Sequence, residues 1–558
     1  MRRHGTALGD SKQKNRGAVQ DKRTVPLSSK EPSPCLDPGD REANTAPGLN
    51  QPALAGKLRF LVNESVFLYN ISQPALRPEN GKDWEEMKDE QLIQVVPSPR
   101  QLALQQMEFY AFVHFTVNTF TDREWGDGTE DPSVFNPSGL DAGQWVRSIQ
   151  AAGMKGLILT CKHHDGFCLW PSRYTDHTVA ASPFRGGKGD VVREVSEACA
   201  QAGLQFGVYL SPWDRHDSRY GTGKPYDDYF VGQLTELMSG YGPIRSVWFD
   251  GACGEGANGK KQFYDWQRYY ETVRRLQPEA CIHVCGPDIR WCGNEAGQTR
   301  ESEWSVVPRR TMDTEKITSL SQQKDDEAFR LRPIRAQDQD LGSRKILEKE
   351  TDLIWYPAEV NTSIRPGWFW HEAENDQVKP ISKLIEIYEK SVGGNATFLL
   401  NIPPDRRGLF HEADVQRLRE LGEYIRRCYT DNLAPESRIE ADPAEEGHEA
   451  ENMLREDGGF YLPRAVCAPV RVTLTWPSVQ TVDRIVLKEK ISQSQRVERF
   501  HLEIPDGAEW KKIADGTVIG YKRIIPVPGL RTACLRLVIE DVRVRPAIAF
   551  FGVYRDRT

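Results

Sequence analysis

The sequence predicts an α/β protein: a (β/α)8-like barrel of the TIM type followed by a C-terminal all-β sandwich of jelly-roll character. Three observations carry this expectation. Between residues 96 and 431, short apolar runs alternate with helix-length amphipathic segments, the order in which each strand is followed by a helix that covers it. At least seven such runs within about 330 residues favour a closed barrel over an open doubly wound sheet. Beyond residue 432 the helical period disappears, and strand-like segments recur with turn signals between them. A chain of 558 residues also exceeds what one hydrophobic core usually holds, so two folded units are expected.

Taken in order, residues 1–56 are rich in Lys, Arg, Ser, Pro, Gly and Asn, a composition that cannot offset its own ordering entropy, and a disordered tail is expected. Residues 57–95 hold one apolar stretch, LRFLVNESVFLYNI, which reads as a peripheral appendage without an assigned place. The strand candidates are 109–115, 156–160, 206–211, 246–250, 282–286, 353–360 and 396–402, which leaves one barrel strand unlocated. Between the second and third candidates, Val191, Val195, Ala198 and Ala202 recur at helical spacing and Gly203 follows as a stop, which marks a crossover helix. A further helix covers 414–428. In the C-terminal region, Val470, Val472, Leu474 and Trp476 alternate, as do Phe500, Leu502 and Ile504, and Leu535, Leu537 and Ile539. Each set gives a strand with one buried face, and the sandwich is bounded at 432–558.

Composition narrows the function. A formal net charge of -7 leaves no basic footprint, so nucleic acid is not an expected partner. No run of about eighteen apolar residues occurs, so insertion into a membrane is not expected either. The start has basic residues without the apolar stretch of a secretory signal, and a cytoplasmic location is the expectation; extracellular or lysosomal locations stay open should the N-terminus be misassigned. Eleven cysteines without a CxxC pair fit neither a disulfide framework nor a zinc site.

Chemistry gathers at the C-terminal ends of the proposed strands, the face where barrel enzymes build their sites. His114 closes the first strand, Lys162, His163, His164 and Asp165 follow the second, Tyr209, Trp213 and Asp214 end the third, and Asp250 ends the fourth. Asp250 reads either as a carboxylate raised to attack or as the N-cap of a helix. The next helix begins a dozen residues later, which disfavours capping. His163 and His164 are adjacent, so on an extended strand they face opposite ways and make a poor metal pair. A metal-dependent hydrolase built on His163, His164 and Asp165 remains the rival reading, beside a non-catalytic sugar-binding barrel. Glu124 and Trp125 pair a carboxylate acceptor with an indole face, the equipment for gripping a pyranose. The segment GACGEGANGKKQ imitates both a dinucleotide fingerprint and a P-loop, but Lys261 stands where a P-loop needs Ser or Thr. The Gly393-Gly394-Asn395 run follows a helix and precedes a strand, so it reads as a cap and turn and not as a phosphate loop. No metal and no cofactor is expected.

The segments HFTVNTFTDREW (114–125), KHHDGFCLWP (162–171), YLSPWD (209–214), VWFDG (247–251) and SVGGNATFLLNIP (391–403) together resemble the α-L-fucosidases of glycoside hydrolase family 29. The resemblance implies removal of fucose from fucosylated oligosaccharides with retention of configuration, and it makes Asp250 the nucleophile. WCGNEAGQTRESEW (291–304) resembles the subgroup acting on branched α-1,3 and α-1,4 fucosides, which implies Glu295 as acid and base, with Glu301 and Glu303 as competitors. His114, Glu124, Trp125, His163, His164 and Tyr209 match the family's fucose-binding positions. Trp368, in PGWFWH, is either a wall for the sugar's methyl group or plain packing. The region 484–554 resembles the discoidin-type sandwich often appended to these enzymes.

Overall fold

The computed structural model describes residues 89–330, 332, 340–465 and 469–557. The expectations for 1–56 and for 57–88 lie outside the described residues. The remainder of the appendage begins with a short helix, Asp89–Leu92, whose Leu92 is buried beside Val306, Leu347, Trp355 and Ile491.

The barrel strands are β1 (Phe109–Val113), β2 (Gly156–Lys162), β3 (Gln205–Leu210), β4 (Ser246–Phe249), β5 (Cys281–Val284) and β6 (Arg290–Trp291). A two-stranded ribbon of β7 (Val306–Pro308) and β8 (Leu353–Trp355) follows, then β9 (Ala358–Ser363) and β10 (Ala396–Asn401). The eight barrel strands run parallel in the order β5-β4-β3-β2-β1-β10-β9-β6. The ring nearly closes between β5 and β6 through the bridge of His283 with Ile289, where the Val284 amide donates to the Ile289 carbonyl at 3.0 Å. Strands β1, β2, β9 and β10 are buried along their whole length, as expected where helices cover one face and the barrel interior fills the other.

The local rules behind the helices are visible. The crossover helix Val191–Ala202 starts at Asp190, whose carboxylate accepts the Arg193 amide at 2.9 Å, and stops at Gly203 with φ 70°. It buries Val191, Val192, Val195, Ser196 and Cys199. The helix predicted over 414–428 spans Glu412–Cys428. Two strand assignments change. The run 353–360 is two strands, because the chain leaves the β7–β8 ribbon at Trp355 and enters the barrel at Ala358. The unlocated strand is β6, two residues long, too short to show any period.

The C-terminal region is antiparallel: β11 (Arg438–Ala441), β12 (Val470–Glu489), β13 (Val497–Asp506), β14 (Glu509–Gly516), β15 (Arg523–Val542) and β16 (Ile548–Tyr554). The path is β11-β12-β15-β13-β14, with β16 also paired to β12. Strands β12 and β15 are 20 residues each and shift register between Thr475 and Gln480 and between Val482 and Arg484. Such bulges bend a strand, so the first half of β12 pairs with β11 and the second with β16. Val470, Val472, Leu474, Phe500, Leu502, Leu535, Leu537 and Ile539 form one buried core. Barrel and sheet fall within one compact unit.

Candidate active site

The C-terminal ends of the barrel strands surround a cavity that opens to solvent. Of the residues singled out from sequence, His114, Trp125, His163, His164, Tyr209, Asp250, Glu295 and Trp368 all line it. Six of the eight come from strand ends or the turns just after them, and Trp125 and Trp368 from longer loops. His114 follows β1, the two histidines follow β2, Tyr209 lies near the end of β3, Asp250 follows β4, and Glu295 sits on the loop after β6.

Asp250 is held as an acceptor. Tyr209 Oη donates to Oδ2 at 2.8 Å and the Ala252 amide to Oδ1 at 2.9 Å. Burial raises its pKa, and the Ala252 amide, Tyr209 and the Gly251 amide oppose that rise. It caps no helix: the next one, Trp266–Leu276, is capped by Asp265. Glu295 is different. Burial pushes its carboxyl up to about 7, the Trp368 indole works against that, and the charge of Asp250 adds to it. The two carboxyls of one cavity thus sit in different settings: hydrogen-bond donors oppose the rise at Asp250, and burial carries Glu295 to about 7.

The competitors of Glu295 are accounted for. Glu303 is buried between guanidinium groups: Arg290 Nη2 and Arg300 Nη1 both reach it, and the Arg300 amide donates at 2.9 Å. Burial opposes ionisation, but Arg290 and Arg300 outweigh it and bring the pKa to about 2. Glu303 therefore braces the loop. Glu301 is exposed and absent from the cavity lining.

Burial favours the neutral imidazole at each of the three histidines. Burial lowers His114 to about 4 and His164 to about 3, and pushes His163 well below its ordinary value. Their tautomers follow from their partners. Asn401 donates its amide to Ser363 Oγ and the Trp368 carbonyl, so its Oδ1 accepts from His114 Nδ1 at 2.8 Å. Ser211 donates its only hydroxyl proton to the Trp213 carbonyl, so it accepts from His164 Nδ1 at 2.7 Å. Nε2 of each ring is left as an acceptor, and that of His164 lies 3.8 Å from Asp250 Oδ2. His163 Nδ1 is buried without a protein partner among the described residues.

The two adjacent histidines do not face opposite ways. Strand β2 ends at Lys162, so the period of two no longer applies, and the turn brings both rings into the cavity with centroids 4.1 Å apart. Asp165 does not join them: its carboxyl accepts from the Phe167 amide and from Thr116 Oγ1, and it is not part of the lining. The cluster proposed for a metal-dependent rival therefore does not converge. Among the described residues no group of three or more His, Cys, Asp or Glu is arranged to hold a metal ion.

Glu124 is the other departure, because it is absent from the lining. Its carboxylate accepts from the Trp368 amide at 2.9 Å, the Phe369 amide at 3.0 Å, Arg330 Nη1 at 3.0 Å and His371 Nε2 at 2.9 Å. Burial raises its pKa, but His371 and the Trp368 amide bring the net value below the ordinary one. Hydrogen bonding to Glu124 lifts His371 to about 9. The close approach requires Gly367, where a Cβ would sit 2.3 Å from Glu124 Oε1. Trp125, the neighbour, does line the cavity, edge-on to His164 and Trp213.

Sequence reasoning missed several lining residues. Phe112 and Trp248 form an apolar floor, with Trp248 stacked on Tyr209 at 5.4 Å. Their signal was their alternation with Ala111, Val247 and Phe249 on buried strands, which cannot say which face is inside. Trp291 and Asn361 are joined at 3.1 Å, and Ser321 and Gln322 arrive from an excursion with no period to read. Val284, also lining, has φ 62°, a strained conformation for a β-branched residue of the sort that gathers at active sites.

Comparison with known proteins agrees with this geometry. The family model for α-L-fucosidase matches residues 100–428. Alpha-L-fucosidase 1 of Arabidopsis thaliana is 38% identical over 474 residues, covering 83% of this chain and 88% of its own. Among solved structures, a glycoside hydrolase 29 family member from an unknown rumen bacterium is 37% identical with a TM-score of 0.67, covering 83% of this chain and 78% of its own. A Ruminococcus gnavus GH29 fucosidase in complex with fucose is 28% identical with a TM-score of 0.73, covering 86% and 98%. The family match spans more than half of the chain and includes every cavity residue predicted from sequence, so this chain belongs to the α-L-fucosidase family, glycoside hydrolase family 29.

Proposed function

We propose that the chain hydrolyses terminal α-1,3- or α-1,4-linked L-fucose from branched oligosaccharides by double displacement. The observation that carries this is the difference between the two carboxyls of one cavity, Asp250 bound by Tyr209 and the Ala252 amide and Glu295 pushed up to about 7. Glu295, protonated, gives its proton to the glycosidic oxygen while Asp250 attacks the anomeric carbon through an oxocarbenium-like transition state. Glu295, now ionised, takes a proton from water, which attacks the fucosyl-Asp250 ester and releases fucose with its original configuration. The acceptor nitrogens of His114 and His164, with Trp125, His163 and Tyr209, hold the sugar hydroxyls, and Phe112, Trp248 and Trp368 face its methyl group. Glu124 serves the same subsite from behind, through the main chain of Trp368 and Phe369.

Replacing Asp250 by Gly is expected to lower kcat/KM on the order of 10⁴-fold or more. Azide should restore turnover and yield the fucosyl azide of inverted configuration. Rescue without inversion, or activity surviving the substitution, contradicts the nucleophile. The branched specificity is motivated by the likeness of residues 291–304 to that subgroup. A kcat/KM for a Lewis-type trisaccharide far below that of simple unbranched fucosides would remove it. The C-terminal region is read as a discoidin-type jelly roll, supported by its six antiparallel strands. An experimental structure without two facing layers would refute that reading.

A further inference from the structure

We infer that Trp368 is a positioning residue for Glu295: its indole N–H fixes which carboxyl oxygen is free to carry the proton. The inference rests on the reading of Glu295 as acid and base, and it goes beyond the role of Trp368 as a wall for the sugar.

The contact is direct. Trp368 Nε1 donates to Glu295 Oε2 at 3.0 Å. An indole nitrogen has one hydrogen and no lone pair to offer, so Oε2 can only accept from it. A carbonyl oxygen accepts better than a hydroxyl oxygen, so the contact favours the protonated form in which Oε2 is the carbonyl and the transferable proton sits on Oε1. Without such a contact the two oxygens of a carboxyl are interchangeable by rotation about a broad terminal torsion, and half of the protonated population presents the wrong one.

The indole can fix Glu295 because it is itself fixed at both ends of its residue. The Trp368 amide donates to Glu124 Oε2, and the Trp368 carbonyl accepts from Asn401 Nδ2 at 2.8 Å. Glu124 is in turn held by Arg330 and His371, and Asn401 by Ser363 and His114. The ring lies 5.2 Å from that of His114, on the wall of the same cavity. Glu295, by contrast, sits on a loop whose ordering comes from Asn294, Arg300 and Glu303, all buried behind it. Trp368 Nε1 is thus a hydrogen-bond partner of the Glu295 carboxyl in a cavity where proton delivery must be aimed. The cluster Asp122–His371–Glu124 thus acts at a distance on the acid, through one tryptophan.

The test is Trp368→Phe, which keeps an aromatic wall and deletes the donor. Two substrates separate proton delivery from sugar binding: a fucosylated trisaccharide, whose leaving group needs the proton, and a nitrophenyl fucoside, whose leaving group does not. The loss of kcat/KM on the trisaccharide is expected to exceed that on the nitrophenyl fucoside by about tenfold, part of the 10²–10⁴-fold contribution of a positioned acid. Because the lost hydrogen bond favoured the ionised carboxylate, the alkaline limb of the pH profile should move upward by about half a unit or more. A ratio and an alkaline limb like those of the parent overturn the inference. Binding of L-fucose, measured by calorimetry, reports whether the variant is folded and its wall intact. Glu295→Gln distinguishes the two ways of failing. If it abolishes the alkaline limb and the trisaccharide activity while Trp368→Phe changes neither, only the role of Trp368 falls; if Glu295→Gln leaves both intact, the assignment of the acid falls with it.

Discussion

The rim of the barrel and the seam where the barrel meets the C-terminal sheet both bury carboxyls, and they treat them in opposite ways. At the rim, Asp250 and Glu295 are met by neutral donors, and burial raises both. At the seam each carboxylate has a cation. Glu108, just before β1, meets Lys522 at 3.0 Å, and Glu389 meets Arg484 at 2.6 Å. Glu498 is shared by Arg344 and Arg543 at 2.8 and 3.1 Å. Burial raises the Glu108 pKa, but Lys522 and Lys488 overcome it and hold the group at about 2. Burial alone does not mark a catalytic acid: Glu108 is buried and held low by its lysines, whereas Glu295 is buried without a hydrogen-bonded cation and is pushed up to about 7.

Breaking a seam joint should produce the largest change in stability. Replacing Glu108 by Gln leaves Lys522 buried without its counter-charge and is expected to cost about 3–5 kcal/mol, read by chemical denaturation. The same pair predicts the pH response. Glu108 is depressed from an ordinary 4.5 to about 2 when folded, so its stabilisation is present above about pH 4.5 and is lost as pH falls toward 2. The parent should therefore lose stability over that interval, and the variant should lose less. An identical acid profile in both would show that the joint does not act as described.

The corresponding change at the rim should be smaller and should appear in rate, not in stability. Tyr209→Phe removes one donor to Asp250, a loss of about 1–2 kcal/mol, or roughly five- to thirtyfold in kcat/KM. The donor favours the carboxylate, so the Asp250 pKa rises further and the acidic limb of the profile shifts to higher pH. An unmoved acidic limb would separate Tyr209 from the nucleophile.

The contrast between rim and seam explains what was legible in the sequence. Asp250, His114 and Tyr209 could be read because strand ends are visible as the last polar residue of an apolar run. Strand alternation also exposed the sheet core, from Val470 to Ile539. What could not be read depended on partners distant in the chain. Glu124 stands out beside Trp125 in REWGDG, but its bonds to the Trp368 and Phe369 amides, 244 and 245 residues away, leave no mark in that segment. The pairing of His163 with His164 depended on where β2 stops, a boundary that periodicity does not fix. Likewise β6 has two residues and no pattern, although it begins the loop that carries Glu295.

The smallest effect belongs to charges that resemble the seam's in type but not in setting. Arg499 on β13 meets Glu540 at 2.6 Å and Asp541 at 2.7 Å, closer than Lys522 meets Glu108, yet its side chain is 56% exposed. Water screens both partners there, and holding a long side chain in place costs entropy, so the pairs together should contribute no more than about 1 kcal/mol. Arg499→Ala is therefore expected to leave kcat/KM unchanged and to shift the denaturation midpoint slightly, by an amount that shrinks further in high salt. If that variant proved as destabilised as Glu108→Gln, separation distance and not burial would decide what an ion pair contributes here, and the distinction between the two regions would have to be redrawn.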